Sequence, residues 1–255
     1  MNLPNSFLGW IVFLIEKYGL LLLKGAGVAL IVSLASTIIG FVIGVLVGLV
    51  KSIRIENTHS FKKKLLKIVN ALLNIYIEVF RGTPSMVQAM VIYYGMYSLG
   101  VDIPVLVASI CILSVNTGAY MAEIVRGGIE SVEKGQKEAA HALGMTHTQS
   151  MFLVVLPQAI KNILPSVGNE FIVNIKDTSV FNVISLNELF FMSKSAAGTY
   201  FKYFEVFFIT AMIYLFMTFS ISRLLRIVER KLNGNEYYSL AIKECNDAID
   251  VGGDN

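Results

Sequence analysis

Two sets of polar residues recur at helical spacing inside long apolar stretches of this chain. Each set is spaced i, i+4 and i+7, and the sets are Asn116, Tyr120 and Glu123, and Glu170, Asn174 and Asp177. This spacing places each set along one face of a helix. Polar and ionisable groups are costly at membrane depth and usually face a cavity or a partner. The two stripes therefore predict a passage for a small polar solute, whose charged groups need partners once water is removed.

The same side chains could instead join helices through interhelical hydrogen bonds, and for Glu170 and Asn116 both interpretations stay open. We predict that four of these residues line the solute path: Glu170, Asn116, Asn174 and Tyr120. Glu123 and Asp177 lie near the ends of their predicted spans, where a solvated carboxylate is ordinary. Glu78 and Arg81 are spaced i, i+3, which favours an ion pair between them.

Residues 137–157 (KEAAHALGMTHTQSMFLVVLP) form a polar segment between apolar ones. Glu138, Ala139 and Ala140 favour a helix, whereas Gly144 would cost roughly 1 kcal/mol inside one. A glycine here indicates a helix end or a site where another backbone comes close. We expect a short cytoplasmic helix followed by a turn, exposed so that a partner can bind it. A helix lying flat on the lipid headgroups is the alternative.

The composition is that of an integral membrane protein. Of 255 residues, 55% are hydrophobic and 15% charged, whereas a soluble domain carries about 25% charged residues. The net charge of +3 suits basic cytoplasmic loops, and no dense basic patch interleaved with aromatics predicts nucleic-acid binding. The chain has no P-loop, no H-E-x-x-H and no Cys/His cluster, so we predict neither a catalytic nor a metal site.

Apolar stretches long enough to cross a bilayer predict an all-α fold with about five transmembrane helices. The predicted spans are 20–50, 68–98, 105–125, 152–175 and 201–222. Pro84 should break the second span. The basic residues between and after the spans fall on one side, which places the N-terminus outside and the C-terminus inside. Small residues at four-residue spacing (Ser36, Gly40, Gly44 and Gly48) predict close helix packing.

These features divide the chain into three parts. Residues 1–19 are an N-terminal interfacial segment anchored by Trp10, residues 20–231 a transmembrane domain with a cytoplasmic loop at 127–151, and residues 232–255 a polar cytoplasmic tail. The segment 176–199 contains an apolar piece too short to cross, which we place outside or as a re-entrant segment.

The 137–157 segment resembles the loop signature of ABC importer permeases: E-A-A, three residues, G, nine residues, I, any residue, L-P. Glu138-Ala139-Ala140, Gly144 and Leu156-Pro157 match at every spacing, and Val154 stands where Ile is usual. Further motifs resemble the branch of permeases for polar amino acids (histidine, arginine, glutamine and cystine). They are EVFRGTP at 78–84, AYMAEIVRGGI at 119–129, LPQA at 156–159, GNEFI at 168–172 and KDTS at 176–179.

The resemblance implies the type I importer permease fold and a multi-pass subunit of a bacterial plasma membrane importer. Glu138, Ala139, Ala140 and Gly144 would form a coupling helix that docks on ATP-binding cassette subunits. The resemblance also implies a second permease chain, identical or related, and an extracytoplasmic amino acid binding protein. This chain would bind no cofactor itself, since ATP and Mg would be held by the ATPase. A glutamate of the fourth span helps hold substrate in that branch, and Glu170 matches it.

Two other function classes remain open from the residues alone. The carboxylates at membrane depth also permit an ion-gradient-driven secondary transporter of a small polar solute. A membrane scaffold without transport is the third hypothesis, although the polar stripes argue against it.

Overall fold

The computed structural model describes residues 4–51 and 60–233, and the part it describes is helical with no strand. The helices are α1 (Phe7–Lys51), α2 (Ser60–Gly82), α3 (Ser85–Ser98), α4 (Val105–Glu130), α5 (Lys134–Ala142), α6 (His147–Ser150), α7 (Leu156–Asp177), α8 (Leu189–Tyr200) and α9 (Tyr203–Asn233). A π-helical turn, Met151–Val155, leads into α7, and a 3₁₀ segment, Thr178–Ile184, follows it. The all-α prediction is confirmed. The tail after residue 233 and the loop 52–59 lie outside the described residues.

Helix α1 is continuous over 45 residues, which corresponds to about 67 Å of helix. This length is about twice the roughly 30 Å hydrocarbon layer. The sequence divided this region into an interfacial segment to residue 19 and a span from residue 20, but the helix has no break there. Trp10 is buried in a cluster with Leu14 and Ala197 and lies against the ring of Tyr200. The start of α1 is therefore packed against α8.

Helices α1 and α4 pack in parallel through the row of small residues on α1. An added Cβ would lie 2.8 Å from Thr117 Cβ at Gly40, 2.3 Å from Met121 Cβ at Gly44 and 2.7 Å from Val125 Cγ1 at Gly48. Both helices advance by four residues between contacts, so they run in the same direction at close range. The predicted packing face is confirmed.

The break at Pro84 is also confirmed. Helix α2 ends at Gly82, and Pro84 lies in an extended conformation (φ −63°, ψ 134°) before α3 begins at Ser85. Proline has no N–H, and it disfavours the helical conformation of the preceding residue, so the helix cannot pass through this point.

Four helical stretches of the described chain are long and apolar enough to cross a membrane. They are Phe7–Lys51, Val105–Glu130, His147–Ile184 and Tyr203–Lys231. The predicted second span is divided at Pro84 into α2 and α3, and neither half meets that standard of length and hydropathy. The count of five spans and their orientation in the membrane stay predictions.

Candidate functional site

The break between α2 and α3 leaves one backbone acceptor without its helical donor, and two amide side chains bind it. Phe80 is four residues before Pro84, so its carbonyl would have accepted the N–H that proline lacks. Gln88 Nε2 donates to this oxygen at 2.9 Å and to the Thr83 carbonyl at 3.0 Å. Asn116 Nδ2 of α4 donates to the Phe80 carbonyl at 3.1 Å and to Gln88 Oε1 at 2.8 Å. Asn116 is buried at 8% exposure, and its contacts are interhelical.

Asn174 joins three helices. Its Nδ2 donates to Thr37 Oγ1 of α1 at 2.8 Å, and its Oδ1 accepts from Thr117 Oγ1 of α4 at 3.1 Å. Thr37 in turn donates to the Ser33 carbonyl at 2.7 Å. The residue is almost fully buried, and a buried polar chain of this kind holds its helices in one register. Its predicted place along the solute path stays a prediction.

Glu123 lies at the centre of an ion cluster where α1 and α4 end. Lys51 Nζ is 3.1 Å from Glu123 Oε1, and Arg126 Nη2 is 2.8 Å from Oε2. Arg126 also contacts Glu130 at 2.7 Å. Opposite charges at these distances offset the cost of partial burial, so the cluster fixes the two helix ends together.

Arg81 makes no ion pair with Glu78 among the described residues, so that predicted pairing is wrong. Its Nη1 is instead 3.9 Å from Glu123 Oε2, and its guanidinium lies over the ring of Tyr120 at 5.4 Å. A cation over an aromatic face is attracted by the ring quadrupole, so Tyr120 positions Arg81.

Glu170 is half-buried on α7 and has no hydrogen bond or ion pair within the described part of the chain. The charges of Asp177 on the same helix and of Arg81 on α2 act on it. The side-chain amides of Asn116 and Asn174, in contrast, make hydrogen bonds to neighbouring helices. Glu170 and Asp177 are the carboxylates of this stripe that have no hydrogen bond or ion pair among the described residues, and of the two Glu170 is the one predicted to line the solute path.

Gly144 ends α5 in a left-handed conformation. Its φ is +78° and no atom lies within 4 Å of where its Cβ would be. Gly144 N–H donates to the His141 carbonyl at 2.9 Å and Met145 N–H to the Ala140 carbonyl at 3.1 Å. This is the arrangement by which a glycine closes a helix C-terminus. The sequence left two explanations open, and the structure supports the first, a helix end. No backbone of the described residues lies within 4 Å of the Gly144 Cβ position.

Helix α5 is largely exposed to solvent, and one of its residues is buried. Ala140 is buried at 2% exposure, whereas Glu138 and Ala139 are exposed and Leu143 is 81% exposed. Ala139 and Leu143 are therefore apolar side chains that this helix exposes outside the candidate spans. The chain then re-enters a helix through a capping box, in which Thr146 Oγ1 accepts from Gln149 N–H and Gln149 Oε1 accepts from Thr146 N–H.

Glu188 is a functional candidate that the sequence did not single out. It is fully buried at the start of α8, outside the four candidate spans. Its carboxylate accepts from Phe190 N–H (2.9 Å), Phe191 N–H (2.8 Å) and Tyr214 Oη (2.8 Å). Burial raises the pKa of Glu188, and these hydrogen bonds oppose the rise. The two backbone N–H groups cap the start of α8, and the hydrogen bond from Tyr214 joins this end of α8 to α9.

The signals for these residues were present but weak. Gln88 is a polar residue in an apolar run one turn after a proline, a position suited to binding the freed carbonyl. Glu188 precedes an apolar helical segment, as an N-cap does. Neither signal says which acceptor or which helix the side chain meets.

Comparison with known proteins places this geometry in context. Residues 60–234 match the family model described as binding-protein-dependent transport system inner membrane component. The arginine transport system permease protein ArtQ of Bacillus subtilis is 34% identical over 216 residues, which are 84% of this chain and 94% of that protein. The glutamine transport system permease protein GlnP of Escherichia coli is 35% identical over 214 residues, covering 83% and 93%.

Two solved structures share the fold. A chain of an amino acid ABC transporter solved with histidines superposes with a TM-score of 0.77 and 39% identity, covering 89% of this chain and 99% of that one. A chain of the inward-facing MetNI methionine ABC transporter superposes with a TM-score of 0.69, covering 85% and 98%. Its 23% identity supports the shared fold alone. The predicted permease fold is confirmed.

Proposed function

This chain belongs to the family of binding-protein-dependent transport system inner membrane components, and on that premise we propose that it is the permease subunit of an ATP-driven importer of a polar amino acid. The family description and the bacterial relatives put the protein in the bacterial inner membrane, and its long apolar helices make it multi-pass. The subunit provides the path, and ATP hydrolysis belongs to a separate partner.

The observation that carries the proposal is the geometry of α5. A short helix held by Ala140 and ended by Gly144 presents Ala139 and Leu143 to solvent. A rigid helix on this scale transmits a displacement without bending. Glu138, Ala139, Ala140 and Gly144 therefore act as the contact through which an ATP-binding cassette subunit moves the spans.

The solute class follows from Glu170 together with the relatives. A half-buried carboxylate without an internal ion pair attracts a cationic group. All amino acids carry an α-ammonium, and some also carry a cationic side chain. ArtQ and GlnP are named as permeases for arginine and glutamine, which supports a polar amino acid as the solute. Glu170 is compatible with binding the α-ammonium or a cationic side chain.

The assembly comprises two permease chains, identical or related, two ATPase subunits and an extracytoplasmic amino acid binding protein. ATP and Mg are held by the ATPase subunits, and this chain binds no cofactor. Transport against a gradient requires that nucleotide and solute favour different conformations of the complex. The ends of α1 and α4, tied by Glu123, move as one unit with α5 in this scheme.

The test is solute-dependent ATP hydrolysis. The chain is purified with the ATPase that co-purifies from its own host and reconstituted in lipid with its binding protein, and amino acids are then added one at a time. We expect one or a few polar amino acids to stimulate hydrolysis. If no ATPase co-purifies, the proposal fails. Uptake that a protonophore abolishes while ATP is constant would instead support an ion-gradient-driven transporter.

A further inference from the structure

A cavity of about 470 Å³ lies between the end of α4 and the hairpin formed by α5 and α6. Its lining is rich in nitrogen donors: Lys51, Arg126, Lys134, Lys137, His141 and His147. Two carboxylates, Glu130 and Glu138, also line it. The four cationic side chains outnumber these two anions, so the cavity has an excess of positive charge.

The positive charges are not equally available. Lys51 and Arg126 are held by Glu123, and Arg126 also by Glu130. Lys134 and Lys137 make no ion pair or hydrogen bond within the described residues. Two ammonium groups on one helical face, i and i+3, without internal partners can therefore converge on one anion.

Ser150 adds a hydroxyl to the lining. The residue is 2% exposed and lines the cavity, and its Oγ makes no hydrogen bond in the described structure. This Oγ is not among the fully buried unpaired side-chain atoms of the described residues, so it keeps contact with the open space and can donate to a ligand there. The imidazole rings of His141 and His147 also line the cavity, with nearly parallel planes and centroids 6.3 Å apart, and His141 Nδ1 lies 3.2 Å from the Met145 carbonyl.

The position of the cavity indicates where its ligand comes from. Lys51 ends α1 and Arg126 belongs to the last turns of α4, both of which are candidate spans. With the predicted orientation, the ends of these two helices that line the cavity lie on the cytoplasmic side of the membrane. Basic pockets between spans on the cytoplasmic side bind the headgroups of anionic lipids.

We propose that this cavity binds a phosphate anion, and that the headgroup of an anionic phospholipid of the cytoplasmic leaflet supplies it. The phosphate oxygens accept from Lys134, Lys137 and Ser150. Lys134, Lys137 and His141 lie on one face of α5, about opposite to Ala139 and Leu143 at 100° per residue. The lipid site and the exposed apolar face of α5 are therefore separate, so a headgroup contacts the face of α5 opposite to Ala139 and Leu143.

The test is lipid retention by the full chain in native mass spectrometry, with phosphatidylglycerol or phosphatidylcholine added. We expect phosphatidylglycerol to be retained preferentially, and the double variant K134Q/K137Q to lower its apparent affinity by about fivefold or more. The matched control is K63Q/K64Q, which removes two exposed charges from α2 and should have an effect of less than about twofold. Ser150→Ala should weaken retention without changing the net charge.

The source of the phosphate is separated by competition. Inorganic phosphate that fails to displace phosphatidylglycerol, relative to chloride at equal ionic strength, supports the lipid headgroup. If inorganic phosphate displaces phosphatidylglycerol and this displacement depends on Lys134 and Lys137, the cavity is a phosphate site whose ligand is soluble phosphate. Equal loss of lipid in both double variants, or no preference for phosphatidylglycerol, overturns the proposal. These outcomes do not depend on transport, so they stand apart from the test of the importer.

Discussion

Gly44 of α1 lies so close to Met121 of α4 that a Cβ on the glycine would be 2.3 Å from Met121 Cβ and 2.7 Å from its carbonyl carbon. Real Cβ atoms do not approach this closely, so any side chain here forces the two helices apart. Helices that approach at this distance gain dispersion contacts between their backbones. This contact fixes the distance between the two parallel helices whose ends Glu123 ties together.

The first prediction concerns this contact. Gly44→Ala should lower the free energy of unfolding by about 1–3 kcal/mol, the usual effect of overpacking. Gly27→Ala is the matched control on the same helix, because nothing lies within 4 Å of its Cβ position. It should be neutral or stabilising, since alanine is the better helix former. Thermal unfolding of the purified chain measures both, and equal melting temperatures would contradict the close approach.

The break at Pro84 gives the second prediction. Gln88→Leu removes one donor to each of the carbonyls of Phe80 and Thr83 and the acceptor of Asn116 Nδ2. It should destabilise the chain by about 1–3 kcal/mol, because several hydrogen bonds of partly buried groups are lost together. Gln136→Leu is the control, since this exposed glutamine accepts a single long hydrogen bond of 3.4 Å. Thermal unfolding under the same conditions compares them. A Gln88 variant as stable as the control would show that the hydrogen bonds of Gln88 do not stabilise the break at Pro84.

Sequence reasoning was most successful where the chain's own covalent chemistry decides the structure. Pro84 has no N–H, so the break in the second span followed from one residue. The four-residue spacing of Gly40, Gly44 and Gly48 likewise specified a packing face. The periodicity of a helix is a property of its own sequence, so these features were predictable before any partner helix was known.

The contacts of the polar stripes were not predictable in this way. Periodicity placed Asn116 and Asn174 on helix faces, but whether those faces meet water or another helix depends on how the helices assemble. In the structure, Asn116 donates a hydrogen bond to the Phe80 carbonyl, and Asn174 is hydrogen-bonded to Thr37 and Thr117. Arg81 shows the same limit, because its partners Glu123 and Tyr120 both lie on another helix.

The third prediction concerns Gly144. Its positive φ with open space around it means that a substitution is strained by backbone conformation alone, by about 1–2 kcal/mol for most residues. ATP-driven uptake in vesicles should fall in the order glycine, Asn, Val at this position, since asparagine tolerates the left-handed region. Gly135→Ala, inside α5 with no close contacts, should leave uptake unchanged. Equal uptake by the Asn and Val variants would contradict a role for this turn.

Glu188 gives a pH-dependent prediction. Its folded-state pKa is raised above the ordinary 4.5 by burial. The stability it contributes is therefore fully present below pH 4.5 and is lost as pH rises through the raised pKa. Glu188→Gln keeps the acceptor oxygen but cannot ionise, so the melting temperature of the variant relative to the parent should rise with pH. Melting curves between about pH 4 and 8 measure it, and a difference independent of pH would contradict the assignment.

The last prediction separates the solute path from helix assembly by comparing two residues four positions apart on α7. Glu170 has no hydrogen bond or ion pair within the described residues, so Glu170→Gln should lower amino acid uptake by at least about tenfold, equivalent to about 1.4 kcal/mol of lost interaction, with no loss of stability. Asn174 bridges α1 and α4, so Asn174→Ala should destabilise the chain by about 1–3 kcal/mol. Uptake and thermal unfolding are measured for both variants. If Glu170→Gln lowers stability while its uptake is normal, Glu170 serves in helix assembly. If Asn174→Ala lowers uptake at full stability, Asn174 belongs to the path despite its interhelical contacts.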